Sequence, residues 1–148
     1  MVFKQPNLLR RALSAALACS AAASLSAWAA DTASFSATLS SAAEVPVNAS
    51  TATGTVEATL DKGTSVLQWK LTYTGLSGPA TMAHFHGPAM PGANAGVVLP
   101  FPSAASPSEG QATLTPAQVA DLMAGKWYAN VHTAANPGGE IRGQLLAK

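Results

Sequence analysis

The chain carries two alternating segments toward its C-terminus, Trp127-Tyr128-Ala129-Asn130-Val131-His132-Thr133 and Glu140-Ile141-Arg142-Gly143-Gln144-Leu145. Successive side chains of an extended segment point to opposite faces of a sheet. Small or apolar residues recur at every second position of both segments, which is typical of strands that lay one face on a core. The residues between them include Asn136-Pro137-Gly138, a sequence that favours a turn. We therefore predict an antiparallel hairpin.

The hydrophobic pattern also predicts the register of this hairpin. If Thr133 pairs with Gly139, the apolar residues Val131 and Ile141 lie opposite each other on one face. A shift by one residue would set the apolar face of one strand against the polar face of the other. On the polar face this register opposes His132 with Glu140, Asn130 with Arg142, and Tyr128 with Gln144.

The preceding sequence has the pattern of short strands separated by turns rich in glycine, proline and aspartate. The clearest strand spans residues 65–74, where Leu67, Trp69 and Leu71 alternate with polar residues. It follows the turn residues Asp61-Lys62-Gly63, which predicts a second hairpin. The predicted strands cover residues 32–40, 53–60, 65–74, 80–87, 96–101, 110–114, 127–133 and 139–146.

One short helix is predicted, over residues 116–124. Thr115 is a favoured N-cap, Pro116 suits the first helical position, and Gln118 completes a capping box. Gly125 is expected to end the helix. Its apolar stripe contains Val119, Leu122 and Met123. About eight short strands with one helix in a late connection predict an all-β fold, an antiparallel Greek-key β-sandwich or barrel.

The first 29 residues have the pattern of a secretory signal peptide. Basic residues precede an apolar run that ends in the small-x-small pattern Ala27-Trp28-Ala29. We expect cleavage after Ala29, export to the periplasm or the medium, and one domain over residues 30–148. Two alternatives stay open, a lipoprotein anchored at Cys19 and twin-arginine export through Arg10-Arg11. No later apolar run is long enough to predict a membrane span.

Charge and cysteine content argue against several classes of function. Residues 30–148 carry five basic and seven acidic side chains, a net charge of −2 with histidine neutral. No basic stripe is present in the sequence, so we do not expect nucleic acid as a partner. Cys19 is the only cysteine. The exported domain is therefore expected to contain neither a disulfide nor a thiolate ligand.

The three histidines of the chain share one predicted face. In the segment Met82-Ala83-His84-Phe85-His86, Ala83 and Phe85 alternate with the two imidazoles. His132 alternates in the same way with the apolar residues of its own strand. If the two strands lie near each other in one sheet, all three imidazoles project from the same side of it.

Three imidazoles without a thiolate form a ligand set that suits copper or zinc. We expect a surface metal site at His84, His86 and His132, with copper favoured over zinc. Met82 lies on the same predicted face and is a candidate extra ligand, because its soft thioether suits copper(I). Alternatively, the three histidines are solvated residues of a polar face and hold no ion.

Polar neighbours are expected to support this site. Glu140 is predicted to orient His132, because a carboxylate often fixes the tautomer of a ligating histidine. Asn130 and Arg142 are expected to complete the surroundings. No residue is assigned a catalytic role, since the sequence lacks a Gly-x-Ser-x-Gly motif and the exported domain lacks a cysteine.

Several of these segments resemble the CHRD domain, a module named after animal chordin and found in many exported bacterial proteins. The resemblance covers residues 30–148. It implies a secreted β-sandwich of the immunoglobulin-like or a related type, but no defined molecular role, since growth-factor binding by chordin belongs to animals. The residues that carry it are Ala83-His84-Phe85-His86-Gly87-Pro88-Ala89, Gly96-Val97-Val98, the segment 127–133 and the segment 136–145, together with Glu44-Val45-Pro46.

A more distant likeness is to the fold of copper/zinc superoxide dismutase. In that family a His-x-His strand and a later histidine strand supply copper ligands from a Greek-key barrel. His84, His86 and His132 match three of those ligands. The sequence departs from the family because residues 30–148 lack the bridging histidine, the zinc-site cluster and the disulfide. The likeness therefore implies a copper-binding relative rather than a dismutase.

Three functional hypotheses follow from the sequence. The favoured one is an exported binding protein with a copper site formed by the three histidines. The first alternative is a metal-free extracytoplasmic or cell-envelope module whose loops 88–95 and 134–138 contact a protein partner. The second alternative, ranked last, is a copper-dependent redox enzyme.

Overall fold

The structure is a computed structural model that describes residues 1–2 and 31–148. Its α-helix, α1, spans Pro116–Met123, and a 3-10 helix spans Ser41–Ala43. The strands are β1 (Thr32–Ser40), β2 (Thr53–Asp61), β3 (Val66–Thr74), β4 (Ala80–His86), β5 (Val97–Pro100), β6 (Ser108–Thr113), β7 (Tyr128–Thr133), β8 (Ile141–Gln144) and β9 (Leu146–Ala147). Residues 3–29 of the predicted signal peptide, with Cys19, lie outside the described residues.

The nine strands of the described chain belong to one antiparallel sheet. Its main path runs β5-β4-β7-β8-β1-β2-β3-β6, and the short strand β9 also pairs with β1. The chain thus returns at β8 to lie beside its first strand. The helix α1 lies between β6 and β7. The predicted all-β antiparallel fold with one short helix in a late connection is therefore confirmed.

Aromatic contacts show that this sheet curls over one core. Trp69 of β3 and Phe85 of β4 belong to strands that are not neighbours in the sheet, yet their ring centroids are 5.3 Å apart. Phe101 packs against both rings, at centroid distances of 5.3 and 4.6 Å. Aromatic pairs of this kind contribute about 0.5–1.5 kcal/mol beyond the burial of their area. The two halves of the sheet therefore face each other as the layers of a sandwich.

The hairpin of β2 and β3 forms because buried and exposed side chains alternate along most of both strands. In β2 every second residue from Gly54 to Leu60 is buried. The turn between the strands is stabilised by Asp61, whose Oδ1 atom accepts hydrogen bonds from the backbone N–H groups of Gly63 and Thr64 at 2.8 and 2.9 Å. Aspartate is favoured in turns because its side chain can bond to the backbone in this way.

The hairpin of β7 and β8 has the predicted register. Val131 lies opposite Ile141, and Asn130 lies opposite Arg142. The last part of this hairpin differs from the prediction, because the single strand expected over residues 139–146 is divided in two. After Gln144 the chain leaves β7 and pairs with β1 as β9.

The helix begins at Pro116, as predicted, and ends at Met123, one residue before the predicted end at Ala124. The backbone N–H of Thr115 donates to Gln118 Oε1, and the N–H of Gln118 donates to Thr115 Oγ1, which completes the capping box. Gly125 has a φ of 69°, which suits glycine after a helix. Leu122 is fully buried, whereas Met123 is 45% exposed. The predicted apolar stripe was therefore wrong at Met123, because this short helix contacts the core through a narrower face. No helix within residues 1–2 and 31–148 combines the length and hydrophobicity needed to cross a membrane.

Gly143 lies where β8 passes close to β1. A Cβ atom at this position would overlap the backbone carbonyl of Thr38. We expect Gly143→Ala to lower the free energy of unfolding by about 2 kcal/mol or more, because the backbones of two paired strands must move apart. Denaturant unfolding, followed by tryptophan fluorescence, measures this change.

Gly78→Ala is the matched control. A Cβ atom at Gly78 has nothing within 4 Å, so we expect a change within about 0.5 kcal/mol. Equal unfolding midpoints for the two variants would contradict the close approach of β8 to β1.

Candidate metal centre

The pairing of β4 with β7 brings the three histidines together. Ala83 and Phe85 of β4 are buried in the core, so His84 and His86 project from the opposite face of the strand. His132 projects from the same face of β7. In the register of the two strands, Met82 lies opposite His132, His84 opposite Asn130, and His86 opposite Tyr128.

The imidazoles are close enough to share one ion. One ligand nitrogen from each of His84, His86 and His132 lies within 4.8 Å of the other two. The Nδ1 atom of His84 and the Nε2 atom of His132 are 3.2 Å apart. Nitrogens bound at about 2.0–2.1 Å to one tetrahedral ion lie roughly 3.4 Å from each other. The three residues are therefore close enough to hold one metal ion if their rings turn toward it.

Backbone carbonyls set the tautomers of two of these rings. The Nδ1 atom of His86 donates to the carbonyl of Ala95, and the Nδ1 atom of His132 donates to the carbonyl of Pro137, both at 3.0 Å. In a neutral ring the lone pair then lies on Nε2. The Nε2 atom of His86 is buried and has no hydrogen-bond partner. An unpartnered buried acceptor is uncommon in proteins, and a bound cation would satisfy it.

The surroundings lower the pKa of two of these histidines, His84 and His132. Burial lowers the pKa of His84, and the neighbouring His132 and His86 rings lower it further. Burial also lowers the pKa of His132, against the opposite effect of its hydrogen bond to Pro137. The neutral forms of both rings are therefore favoured at neutral pH. The Nδ1 atom of His84 and the Nε2 atom of His132 share one hydrogen bond, which a bound cation would replace.

Comparison with protein families identifies the domain. The family model of the CHRD domain matches residues 35–145, which include all three histidines and both loops around them. The chain belongs to the CHRD family. No curated protein and no solved structure matches the chain. Membership in the CHRD family indicates an extracellular or exported module.

The histidine cluster of this CHRD domain is less exposed than the surface site expected from the sequence. His86 and His132 are only 8% and 6% exposed, and His84 alone is partly exposed. Two loops cover the polar face of β4 and β7. Ala95 in the loop after β4 accepts a hydrogen bond from His86, and Pro137 in the loop after β7 accepts one from His132. An ion at this site would therefore be reached from the side of His84.

The sequence predicted that Glu140 orients His132, but in the structure the hydrogen bonds of Glu140 go to other residues. The carboxylate of Glu140 is fully buried and accepts hydrogen bonds from Ser50 Oγ, from the backbone N–H and Oγ of Ser77, and from Thr133 Oγ1, at 2.6–2.7 Å. The carbonyl of Pro137 takes the expected place beside His132. Burial alone would raise the pKa of Glu140, but these hydrogen bonds, with Ser77 first, outweigh it and lower the pKa to about 2.

The other predicted neighbours lie around the cluster in different ways. Asn130 is opposite His84 in the sheet and is buried. Arg142 is also buried, but it donates to Asn94 Oδ1 and to the carbonyl of Ala93, at 2.9 and 2.7 Å, and so holds the loop after β4. Met82 is 46% exposed beside His132. Its role as a ligand stays a prediction.

Two residues near the cluster have roles that the sequence did not indicate. Tyr128 stacks on His86, with parallel rings whose centroids are 4.8 Å apart. Glu44 is 4% exposed, and burial raises its pKa to about 7 although Arg142 lowers it. The sequence placed Tyr128 on the correct face and Glu44 in a family motif. No local pattern, however, marks an acid in a loop as buried.

Glu140 generates a prediction about stability in acid. We expect Glu140→Gln to lower the free energy of unfolding at pH 7 by about 2–4 kcal/mol, because hydrogen bonds to a charged group contribute about 1.5–3 kcal/mol each. The pKa of Glu140 is about 2 in the folded state and 4.5 ordinarily. Its contribution is thus complete above the ordinary value and is lost as the pH falls toward the folded value. Denaturant unfolding across this pH range measures it.

The exposed Glu109 provides the control, since its partner is the surface residue Lys70. Glu109→Gln should change the free energy of unfolding by less than about 1 kcal/mol. A difference between wild type and Glu140→Gln that stays constant from pH 7 to pH 2 would show that the charge of Glu140 is not what stabilises the fold.

Proposed function

We propose that this CHRD domain is an exported binding module that holds a copper ion through His84, His86 and His132. One observation carries the proposal. The three rings present ligand nitrogens within 4.8 Å of one another, and one of these rings has a buried nitrogen without a partner. Protein groups bonded to Nδ1 fix the orientation of ligating histidines in metal sites, and loop carbonyls do so here.

The donor set favours copper over zinc. Divalent copper binds nitrogen ligands more tightly than divalent zinc in the usual order of first-row metals. Met82 lies opposite His132 and offers a thioether, a soft donor that suits copper(I). Structural zinc sites are mostly closed by four protein ligands, whereas this cluster supplies three imidazoles. The proposed role is binding rather than catalysis, since the nearby acid Glu140 is fully engaged by its hydrogen bonds.

A metal-free interaction module is the second candidate. Apolar side chains are exposed in and beside the loop after β4, with Met90 at 58% and Val97 at 53% exposure. Exposed apolar groups of this kind can mark a contact with a protein partner. A copper-dependent redox enzyme stays the third candidate, and oxidant or superoxide turnover by the copper-loaded domain would favour it.

Metal titration separates the first two candidates. We expect the domain to bind copper with sub-micromolar affinity, and His84→Ala or His86→Ala to weaken binding roughly 100-fold or more, because loss of one of three ligands costs at least as much as loss of a supporting contact. Isothermal calorimetry with copper and with zinc gives the affinities. His84→Ala is the safer variant for folding, because His84 is partly exposed.

Thr81→Ala is the matched control, because Thr81 is an exposed residue of the same strand. It should bind copper as tightly as the wild type. Copper affinity that is unchanged in both histidine variants would place binding elsewhere, and no binding by the folded wild type would favour the metal-free module.

We further propose that residues 1–29 are a signal peptide and that residues 30–148 form the exported domain. The family assignment supports an exported module. Expression of the full chain in a bacterium should yield a periplasmic or secreted protein whose N-terminus is Ala30, as measured by Edman degradation or mass spectrometry. A lipid-modified protein that begins at Cys19 would instead support the lipoprotein alternative, and an uncleaved cytoplasmic chain would contradict export.

A further inference from the structure

A buried cation lies one aromatic ring away from the histidine cluster. The guanidinium carbon of Arg142 is 3.4 Å from the centre of the Tyr128 ring. The other partner of Tyr128 is His86, which stacks on it at 4.8 Å with an interplanar angle of 3°. The guanidinium of Arg142, the ring of Tyr128 and the ring of His86 thus follow one another in a stack. Tyr128 alone separates the positive charge from His86, which we propose as a copper ligand.

The charge of Arg142 is permanent and is not neutralised by direct contact. Arginine stays protonated in proteins, and this side chain is 2% exposed. Its hydrogen bonds go to two neutral acceptors, Asn94 Oδ1 and the carbonyl of Ala93. The ion pairs in residues 1–2 and 31–148 do not include it. Glu44 is the nearby acid, and its charge is attenuated because burial raises its pKa to about 7.

We propose that the positive charge of Arg142 biases the site toward copper(I) and against divalent ions. This inference rests on the proposed copper site. Three neutral imidazoles bring no negative charge to offset an ion, so the nearby guanidinium repels a doubly charged ion more than a singly charged one. In a partly buried environment of effective dielectric constant about 20, a unit charge at about 10 Å changes an affinity by about tenfold.

Arg142 also has a structural role that the experiment must separate from its charge. Its hydrogen bonds hold Ala93 and Asn94, and the next residue, Ala95, supplies the carbonyl that orients His86. Loss of this support would weaken binding of both copper ions together. Loss of the charge would change the ratio of the copper(I) and copper(II) affinities.

The experiment measures both affinities by competition with chromophoric chelators, one for copper(I) under reductant and one for copper(II) in air. We expect Arg142→Gln to lower the ratio of copper(I) to copper(II) affinity by about tenfold, equivalent to a fall of about 59 mV in the midpoint potential of the one-electron couple. Arg142→Lys keeps the charge and should retain the wild-type ratio. An equal loss of both affinities in Arg142→Gln would show that Arg142 only supports the loop, and would overturn the inference.

Glu44→Gln is a second variant with the opposite expected sign. Removal of its carboxylate at pH 8 leaves the charge of Arg142 less compensated, so the ratio should rise. It keeps the inference testable if Arg142→Gln fails to fold, and an unchanged or lower ratio would count against the inference. A wild-type domain that binds neither copper ion would instead overturn the proposed function itself. A domain that binds both with an unaltered ratio in all variants would overturn only the inference about Arg142.

Discussion

The antiparallel pairing of β4 with β7 is the constraint on which the rest of this structure depends. It sets Ala83, Phe85 and Val131 into the core, and side-chain alternation then forces the imidazoles to the opposite face. The hydrophobic effect therefore gathers the histidines on one face, and a hydrogen bond between His84 and His132 adds to it. Burial lowers the pKa of His84 and of His132 and so favours the uncharged forms of these two rings. The cluster therefore forms from strand pairing and side-chain alternation.

The polar side of these strands is stabilised by hydrogen bonds rather than by exposure to water. Glu140 is the clearest example, since four bonds from three hydroxyl-bearing residues satisfy a fully buried carboxylate. Arg142 donates hydrogen bonds to Asn94 and Ala93 and so holds the loop that covers the sheet. Breaking one partner of such a network leaves a buried charge unsatisfied, which costs more than the bond contributes. The polar layer that surrounds the histidines is therefore stabilised by the hydrogen bonds of Glu140 and Arg142.

Much of this architecture could be predicted from local sequence. Strict alternation in β2 and β3, the capping box at Thr115 and the hairpin register at Val131 and Ile141 each follow from periodicity or turn chemistry over a few residues. The replacement of Glu140 by the carbonyl of Pro137 as the hydrogen-bond partner of His132 was not predictable in the same way. Opposite positions in a register fix the placement of two Cβ atoms, but the competing partners of Glu140 come from Ser50 and Ser77, which are remote in sequence. Loop coverage of the polar face was missed for the same reason, since periodicity describes strands and not what folds over them.

The rings of His86 and His132 take their orientation from carbonyls of two loops, whereas their positions come from two strands. The position and the orientation of these rings are thus controlled by separate parts of the chain. Loops tolerate insertions and deletions far better than paired strands do. A lengthened or shortened loop would accordingly turn one ring while the strands keep the three imidazoles on the same face. The direction of a ring nitrogen would then change through residues that lie outside the histidine cluster.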